Sequence, residues 1–286
     1  MHLLKAFFKL IRWPNLVFIV ITQTLFYYSF IFYSITGINN PQIQLTPGLF
    51  VLLAIASVVI AAAGYIINDY FDVKIDIVNK PERVVVGRYL KRRWAIGAHQ
   101  VLNVLGALLG LLVNHWIFLV NVFSITLLWF YSERFKRKPF IGNFIVSLLT
   151  GFSLLILTIY YPANRHLVFI YAVFSFFISF IREVVKDMED IKGDEAHGCR
   201  TLPIIWGIRR TKSFVYAIIM LFVITLFMMA KVLNNNVLLL LFLLLLLPIC
   251  WLVLRLSRSD TRRDFREISN LCKMIMLLGL LTMIWT

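Results

Sequence analysis

Two short stretches carry carboxylates in one pattern. Asp69, Asp72 and Asp76 in "NDYFDVKID" follow D-x2-D-x3-D, and Asp187, Asp190 and Asp194 in "REVVKDMEDIKGD" repeat it 118 residues later. On a helix, residues four apart share a face. Asn68, Asp72 and Asp76 therefore form one stripe with Asp69 at its edge, and Glu183, Asp187, Asp190 and Asp194 form a second. Glu189 is expected to point away, and Gly193 offers an early helix end that would leave Asp194 on a loop. Two facing carboxylate stripes repel strongly at low dielectric. They must either protonate or hold cations. Oxygen-only donors without paired His or Cys favour Mg²⁺, which uses one or two carboxylates and fills its shell with phosphate oxygens. The stripes are thus expected to hold Mg²⁺, and the metal a diphosphate. The plainer alternative is surface pairing with nearby Lys and Arg; two clusters in identical spacing argue against it. Neither fits the EF-hand loop pattern.

The elements that position these residues are apolar. The chain has 286 residues, 60% hydrophobic and 15% charged, with mean hydropathy +0.84. Soluble domains are about a quarter charged. The expected fold is all-α: a polytopic membrane protein of nine transmembrane helices forming a single domain over residues 1–286. A span needs roughly 20 apolar residues. Candidates are about 15–36, 49–68, 95–113, 115–131, 141–160, 166–182, 213–231, 237–255 and 271–286. A polar break, "GINNPQIQLTPG", separates the first two. Each aspartate cluster ends an even-numbered span, four spans apart, which suggests a parallel internal repeat of four plus four plus one. "MHLLKAFFKLIRWPN" reads as an amphipathic lead-in helix, since no small-residue cleavage site follows its apolar stretch. Cys199, Cys250 and Cys272 are too scattered for a disulfide framework or a zinc site.

The net charge of +15 would suggest nucleic acid in a soluble chain. Its distribution speaks for topology instead. With the spans above, 26 of the 29 Lys and Arg fall on one side. Positive charge marks the cytoplasmic face and favours contact with anionic lipid heads. All 14 Asp and Glu fall on that side too. The reading is a multi-pass protein of the cell (inner) membrane with its aspartate motifs facing the cytoplasm. No nucleic acid and no obligate protein partner are expected.

"NDYFDVKID" resembles the N-D-x-x-D-x-x-x-D motif of the UbiA superfamily of intramembrane prenyltransferases, and "DMEDIKGD" resembles that family's second aspartate motif. "RWPN", "NKPERVVVG" and "YSERFKRKPFIGN" are similar to further family segments, so the resemblance covers essentially the whole chain. One departure is Arg83, which is followed by Val84, Val85 and Val86, where members often have Pro and then small residues. "REVVKDMEDIKGDEAHGCRTLPI" is most similar to the branch that makes digeranylgeranylglyceryl phosphate.

The resemblance implies Mg²⁺-dependent transfer from an isoprenyl diphosphate donor to a lipophilic acceptor, with a glycerol-phosphate ether lipid precursor as first choice. It implies that Asn68, Asp72 and Asp76 hold one metal and Asp190 and Asp194 another, with Asp69 and Asp187 bound to metal or just behind it. Arg83 and Lys136 would grip phosphate, with Arg137 and Lys186 as weaker candidates. Tyr131 would face the allyl cation or orient the diphosphate. Asn15 would line the acceptor pocket or bond a neighbouring helix. An aromatic quinone precursor or haem as acceptor stays open. So does an ion-coupled transporter, although such proteins usually place acids near the midplane.

Overall fold

The computed structural model describes residues 2–32, 47–161 and 164–285. The lead-in sequence forms α1 (His2–Leu10), and α2 (Trp13–Phe26) continues into a π-helical turn, Tyr27–Phe32. There follow α3 (Pro47–Asn79), α4 (Arg92–Val113), α5 (His115–Glu133) and α6 (Ile141–Leu155), the last extended by a short turn, Leu157–Tyr160. The second half holds α7 (Arg165–Ala196), α8 (Leu202–Val232), α9 (Asn236–Ser257) and α10 (Arg262–Leu281). Among the described residues the β content is one isolated bridge, Val86 to Leu90.

Eight helical stretches among the described residues are long and apolar enough to cross a membrane. The first of the nine expected spans is not among these eight, and the count of nine is left untested, since the end of that span lies outside the described residues. Its α-helical part is 14 residues long before the π-turn begins, and the rest of it, with most of the polar break, lies outside the described residues. The aspartate motifs do not follow their spans as loops. Helix α3 runs on for 33 residues and α7 for 32. At 1.5 Å per residue, about 20 residues cross the hydrocarbon. Each helix therefore projects its last three turns beyond that depth. Asp69 and Asp187 are each the twenty-third residue of their helix (47 to 69, 165 to 187), so the two motifs begin equally far along their helices.

Helix α7 is the hub. Some 72% of its apolar stretch is buried inside the bundle, against 17% for α5 and 28% for α8 and α9, whose remaining surface faces lipid. It packs on α3, α6, α8 and α10. Polar side chains tie the helices where hydrocarbon supplies no water. Gln23 donates to Ser57 Oγ at 3.0 Å and to the Ser153 carbonyl at 2.9 Å, and Asn121 donates to the Gly106 carbonyl at 3.1 Å.

Gly193 does not end α7, contrary to the sequence expectation, and Asp194 remains helical. The glycine is there for proximity. Its N–H donates to Asn79 Oδ1 at 2.9 Å, while Asn79 Nδ2 donates to the Asp190 carbonyl at 2.9 Å. A Cβ at position 193 would come within 2.6 Å of Asn79 Oδ1, closer than side chains tolerate. Asn79 thereby holds the two motif helices together. Gly193→Ala should destabilise the protein by about 1–3 kcal/mol through overpacking, outweighing the gain of up to about 1 kcal/mol from better helix propensity. A thermal midpoint in detergent equal to or above that of the parent would refute the clamp.

Candidate active site between the carboxylate helices

The ends of α3 and α7 open on a cavity of about 1340 Å³. Its head is polar, with Asn68, Asp69, Asp76, Lys80, Lys136 and Asp190 on the wall; further along, Ile60, Val120, Leu128, Val146 and Leu149 make it apolar. From Asp76 to Ser57, both on the wall, the helix rises about 28 Å. A charged head joined to a long greasy tail fits that shape.

Each stripe is partly neutralised by basic side chains. The Lys136 ammonium donates to Asp72 and, at 3.4 Å, to Asn68 Oδ1. Lys80 pairs with Asp190 Oδ2 at 2.6 Å and lies 3.6 Å from Glu189. Arg12 donates to Asp69 Oδ1 at 2.8 Å and stacks over the Tyr65 ring at 5.0 Å, while Asn15 Nδ2 donates to the Tyr65 hydroxyl at 3.2 Å. Asn143 donates to Asp187 Oδ2 at 2.8 Å. Glu189 does not point away as expected. It is buried and also takes Arg266 at 3.0 Å, because α10 packs on that flank of α7.

The local folds that deliver these bases are specific. Lys136 sits on a 3₁₀ turn, Phe135–Arg137. Gly142, in the first turn of α6, lets that turn approach; a Cβ there would stand 3.0 Å from Lys136 Cα and from the Phe135 carbonyl. Arg12 occupies the left-handed region at φ 51° just before α2, which aims its guanidinium at Asp69. Such backbone strain is maintained only where surroundings impose it. Burial by itself would lower the Lys136 pKa, but the Asp72 charge, then Tyr131 and Asp76, carries it well above the usual lysine value. Arg12 follows the same logic: burial opposes its charge, and Asp69 and Tyr65 more than offset this.

Room for a metal rests on donors left over from this pairing. Among the described residues no three His, Cys, Asp or Glu side chains converge closely enough to hold an ion alone. Mg²⁺ does not need them to, since one or two carboxylates plus substrate phosphate suffice. Among the described residues, Asp76 and Asp194 have no basic partner within ion-pair distance. Asp190 Oδ1 is buried without a hydrogen bond, and the Arg262 guanidinium stands 3.9 Å from it. An all-oxygen set containing an orphaned buried carboxylate oxygen fits a hard divalent cation.

Of the residues singled out in the sequence, Asn15, Asn68, Asp69, Asp76, Arg83, Tyr131, Lys136, Lys186 and Asp190 line the cavity. Asp72 lies behind Lys136, Asp187 is held by Asn143, and Asp194 is buried off the wall. Arg137 is exposed and off the wall; its main-chain carbonyl accepts from Arg200 N–H at 2.8 Å. Arg12, Tyr65, Lys80 and Arg182 were not singled out as site residues, yet all four line the cavity. A signal existed for two of them: Lys80 falls four residues after Asp76, and Arg12 one turn before Asn15.

A family model described as the UbiA prenyltransferase family matches residues 16–278. The chain is 32% identical over 255 residues to a digeranylgeranylglyceryl phosphate synthase from Korarchaeum cryptofilum, covering 88% of this chain and 90% of that one. It is 30% identical over 225 residues to the synthase of the same name from Sulfurisphaera tokodaii, covering 78% and 77%. A solved structure of a digeranylgeranylglyceryl phosphate synthase in membranes matches with a TM-score of 0.75 and 26% identity, over 100% of this chain and 98% of that one. A UbiA homolog from Archaeoglobus fulgidus bound to GPP and Mg²⁺ has the same fold, with a TM-score of 0.72 at 14% identity over 98% and 100%.

Proposed function

We infer the function from one premise: the chain belongs to the UbiA prenyltransferase family. It is an integral membrane prenyltransferase. Its donor is an isoprenyl diphosphate and its acceptor is lipophilic. The best-supported acceptor is a glycerol-phosphate ether lipid precursor with geranylgeranyl diphosphate as donor, as the names of the relatives suggest. The observation that carries this reading is the convergence of two matched carboxylate helices on the head of a long, apolar-walled cavity. The two aspartate motifs, gathered at one end of that cavity and not at its middle, support an enzyme over a transporter.

In the reaction the bond between the allylic carbon and the diphosphate oxygen breaks, and its electron pair leaves with diphosphate. The acceptor hydroxyl oxygen forms the new carbon–oxygen bond, and its proton passes to the departing diphosphate. Mg²⁺, when bound, neutralises charge developing on the leaving group. Asp76, Asp194 and Asp190 would hold it, joined by Asn68 and by Asp72 once Lys136 turns to phosphate. Asp69 stays with Arg12 and Asp187 with Asn143, each steadying its helix. Lys80 supplies fixed positive charge that costs no reorganisation, and Lys136 brings a second positive charge to the phosphate. Arg83 and Lys186 stand on the same wall within reach of an anion. Tyr131 and the apolar wall keep water from the allyl cation. Arg137 is given no part. The motifs face the cytoplasm, supported by the basic loops, and residues 1–286 act as one domain in contact with bilayer lipid.

The test is purified protein in detergent with labelled geranylgeranyl diphosphate, a panel of acceptors, and product mass as readout. Removing divalent metal should lower transfer at least about 100-fold, and Mg²⁺ should restore it. Full activity in excess chelator would remove the metal from the reading. Absence of product with every donor and acceptor would remove the reading itself.

A further inference from the structure

The charges on the cavity wall do not balance. Among the described residues, nine basic side chains line it against four acidic ones. The head at Asp76 and Asp190 accounts for some of them, but a second group stands apart. Arg182 and Lys186 lie on α7, two turns and one turn before Asp190, so Arg182 is about 12 Å deeper along the helix. Lys273 joins them from α10, which packs on α7, and lines the same cavity. One carboxylate, Glu183, serves this group: it takes Arg182 at 2.6 Å and Lys186 at 2.8 Å. Lys273 has no ion pair among the described residues. Arg182 Nε is buried with no hydrogen-bond partner. Cations at membrane depth are expensive and mark function when they face a cavity.

We propose that Arg182, Lys186 and Lys273 form a second anion station, one that receives the phosphomonoester of the acceptor, separate from the diphosphate station at the carboxylates. The proposal rests on the prenyl-transfer reading above and names the part of the acceptor that the enzyme recognises. Three cations sharing one carboxylate leave a surplus of two charges, the charge of a phosphate dianion. An aromatic acid offers one negative charge and would leave the surplus unmet. A diphosphate seated at Asp76 and Asp190 is too short to span the further 12 Å or so to Arg182. Met276 and Leu277 line the cavity beside Lys273, so a phosphate held there would have an apolar wall next to it for its lipid chain. The arrangement sets two anions on one helix with the reacting carbon between them.

Three measurements test it. Wild-type enzyme should use the phosphorylated acceptor at least about 10-fold better in kcat/KM than the same lipid alcohol without phosphate, the worth of one charge-assisted hydrogen bond. Lys273→Ala should raise the acceptor KM about 10-fold while the donor KM changes less than about 2-fold, and Lys273→Arg should recover most of that loss. Glycerol phosphate alone should raise the thermal midpoint of the wild type and not of Lys273→Ala, a readout that needs no turnover. Equal use of alcohol and phosphate, or a rise in donor KM alone, overturns the proposal. So does protection by bulk anionic phospholipid but not by glycerol phosphate, which would make the station a site for bilayer headgroups. Wild type without transfer, yet protected by glycerol phosphate in a Lys273-dependent way, would count against the prenyl-transfer reading while sparing the anion station.

Discussion

Asp190→Asn should lower prenyl transfer by at least about 100-fold and leave the protein folded. The carboxylate does two things that an amide cannot. Its Oδ2 holds Lys80 at 2.6 Å, and its Oδ1 is buried with no hydrogen bond to satisfy it. A buried charge is kept in that condition only where a ligand completes it. Asparagine keeps the volume, and the main-chain carbonyl at 190 still accepts from Asn79, so the two helices stay clamped. Lys80 retains Glu189 at 3.6 Å and is not left alone. The cost in stability should therefore be small, on the order of 1 kcal/mol. Single-turnover product formation reads the first quantity and the thermal midpoint the second. Asp260→Asn, on an exposed loop residue, is the control that should change neither. A Asp190→Asn enzyme with the parent's rate would break the assignment, and a large fall in midpoint would mean the residue matters for packing instead.

Much of this site was legible because its logic is local. A D-x2-D-x3-D pattern fixes which residues share a helical face, and its recurrence 118 residues on announces a partner for it. The fold class followed from apolar runs of bilayer length. What was not legible depends on contacts between distant segments. Gly193 looked like a helix end because glycine ends helices locally; only the presence of Asn79, 114 residues away, gives it a packing role. Glu189 looked solvent-facing because its stripe is offset from the aspartates, and nothing local announces that Arg266 of the last helix covers it. Lys273 falls at the start of the last apolar span in the sequence, and nothing local shows that it shares a cavity wall with Arg182 and Arg83. The first span's change from α to π geometry leaves no mark in an apolar run, and its end lies outside the described residues, among which the other eight expected spans are long apolar helices. Arg137 and Lys136 are adjacent and alike in type; the 3₁₀ turn that sends one to Asp72 and the other outward is set by Gly142 packing against it.

Lys136→Ala and the double variant Lys136→Ala/Asp72→Asn separate catalysis from stability. In the parent the Lys136 ammonium neutralises Asp72, whose side chain is only 3% exposed. Removing the lysine leaves that carboxylate buried and unpaired, which should cost about 3 kcal/mol in unfolding free energy, discounted for the partial exposure of the lysine. Adding Asp72→Asn removes the stranded charge and should return most of that loss. Transfer should behave differently. On the proposed mechanism Lys136 supplies positive charge where diphosphate leaves, so the single variant should lose about 100-fold in kcat. The double variant should be no better, because it has also lost a carboxylate proposed to bind the metal. The pair's contribution to stability should also be flat across neutral pH. The folded-state pKa of Lys136 is raised, so its stabilisation is complete below the unfolded value of about 10.4 and fades only as pH climbs through the higher folded value. A double variant that regains activity together with stability would show that the lysine serves only to neutralise Asp72. A single variant as stable as the parent would show that Asp72 already has another counter-charge, and the pairing that links the turn after α5 to the first carboxylate stripe would lose its energetic basis.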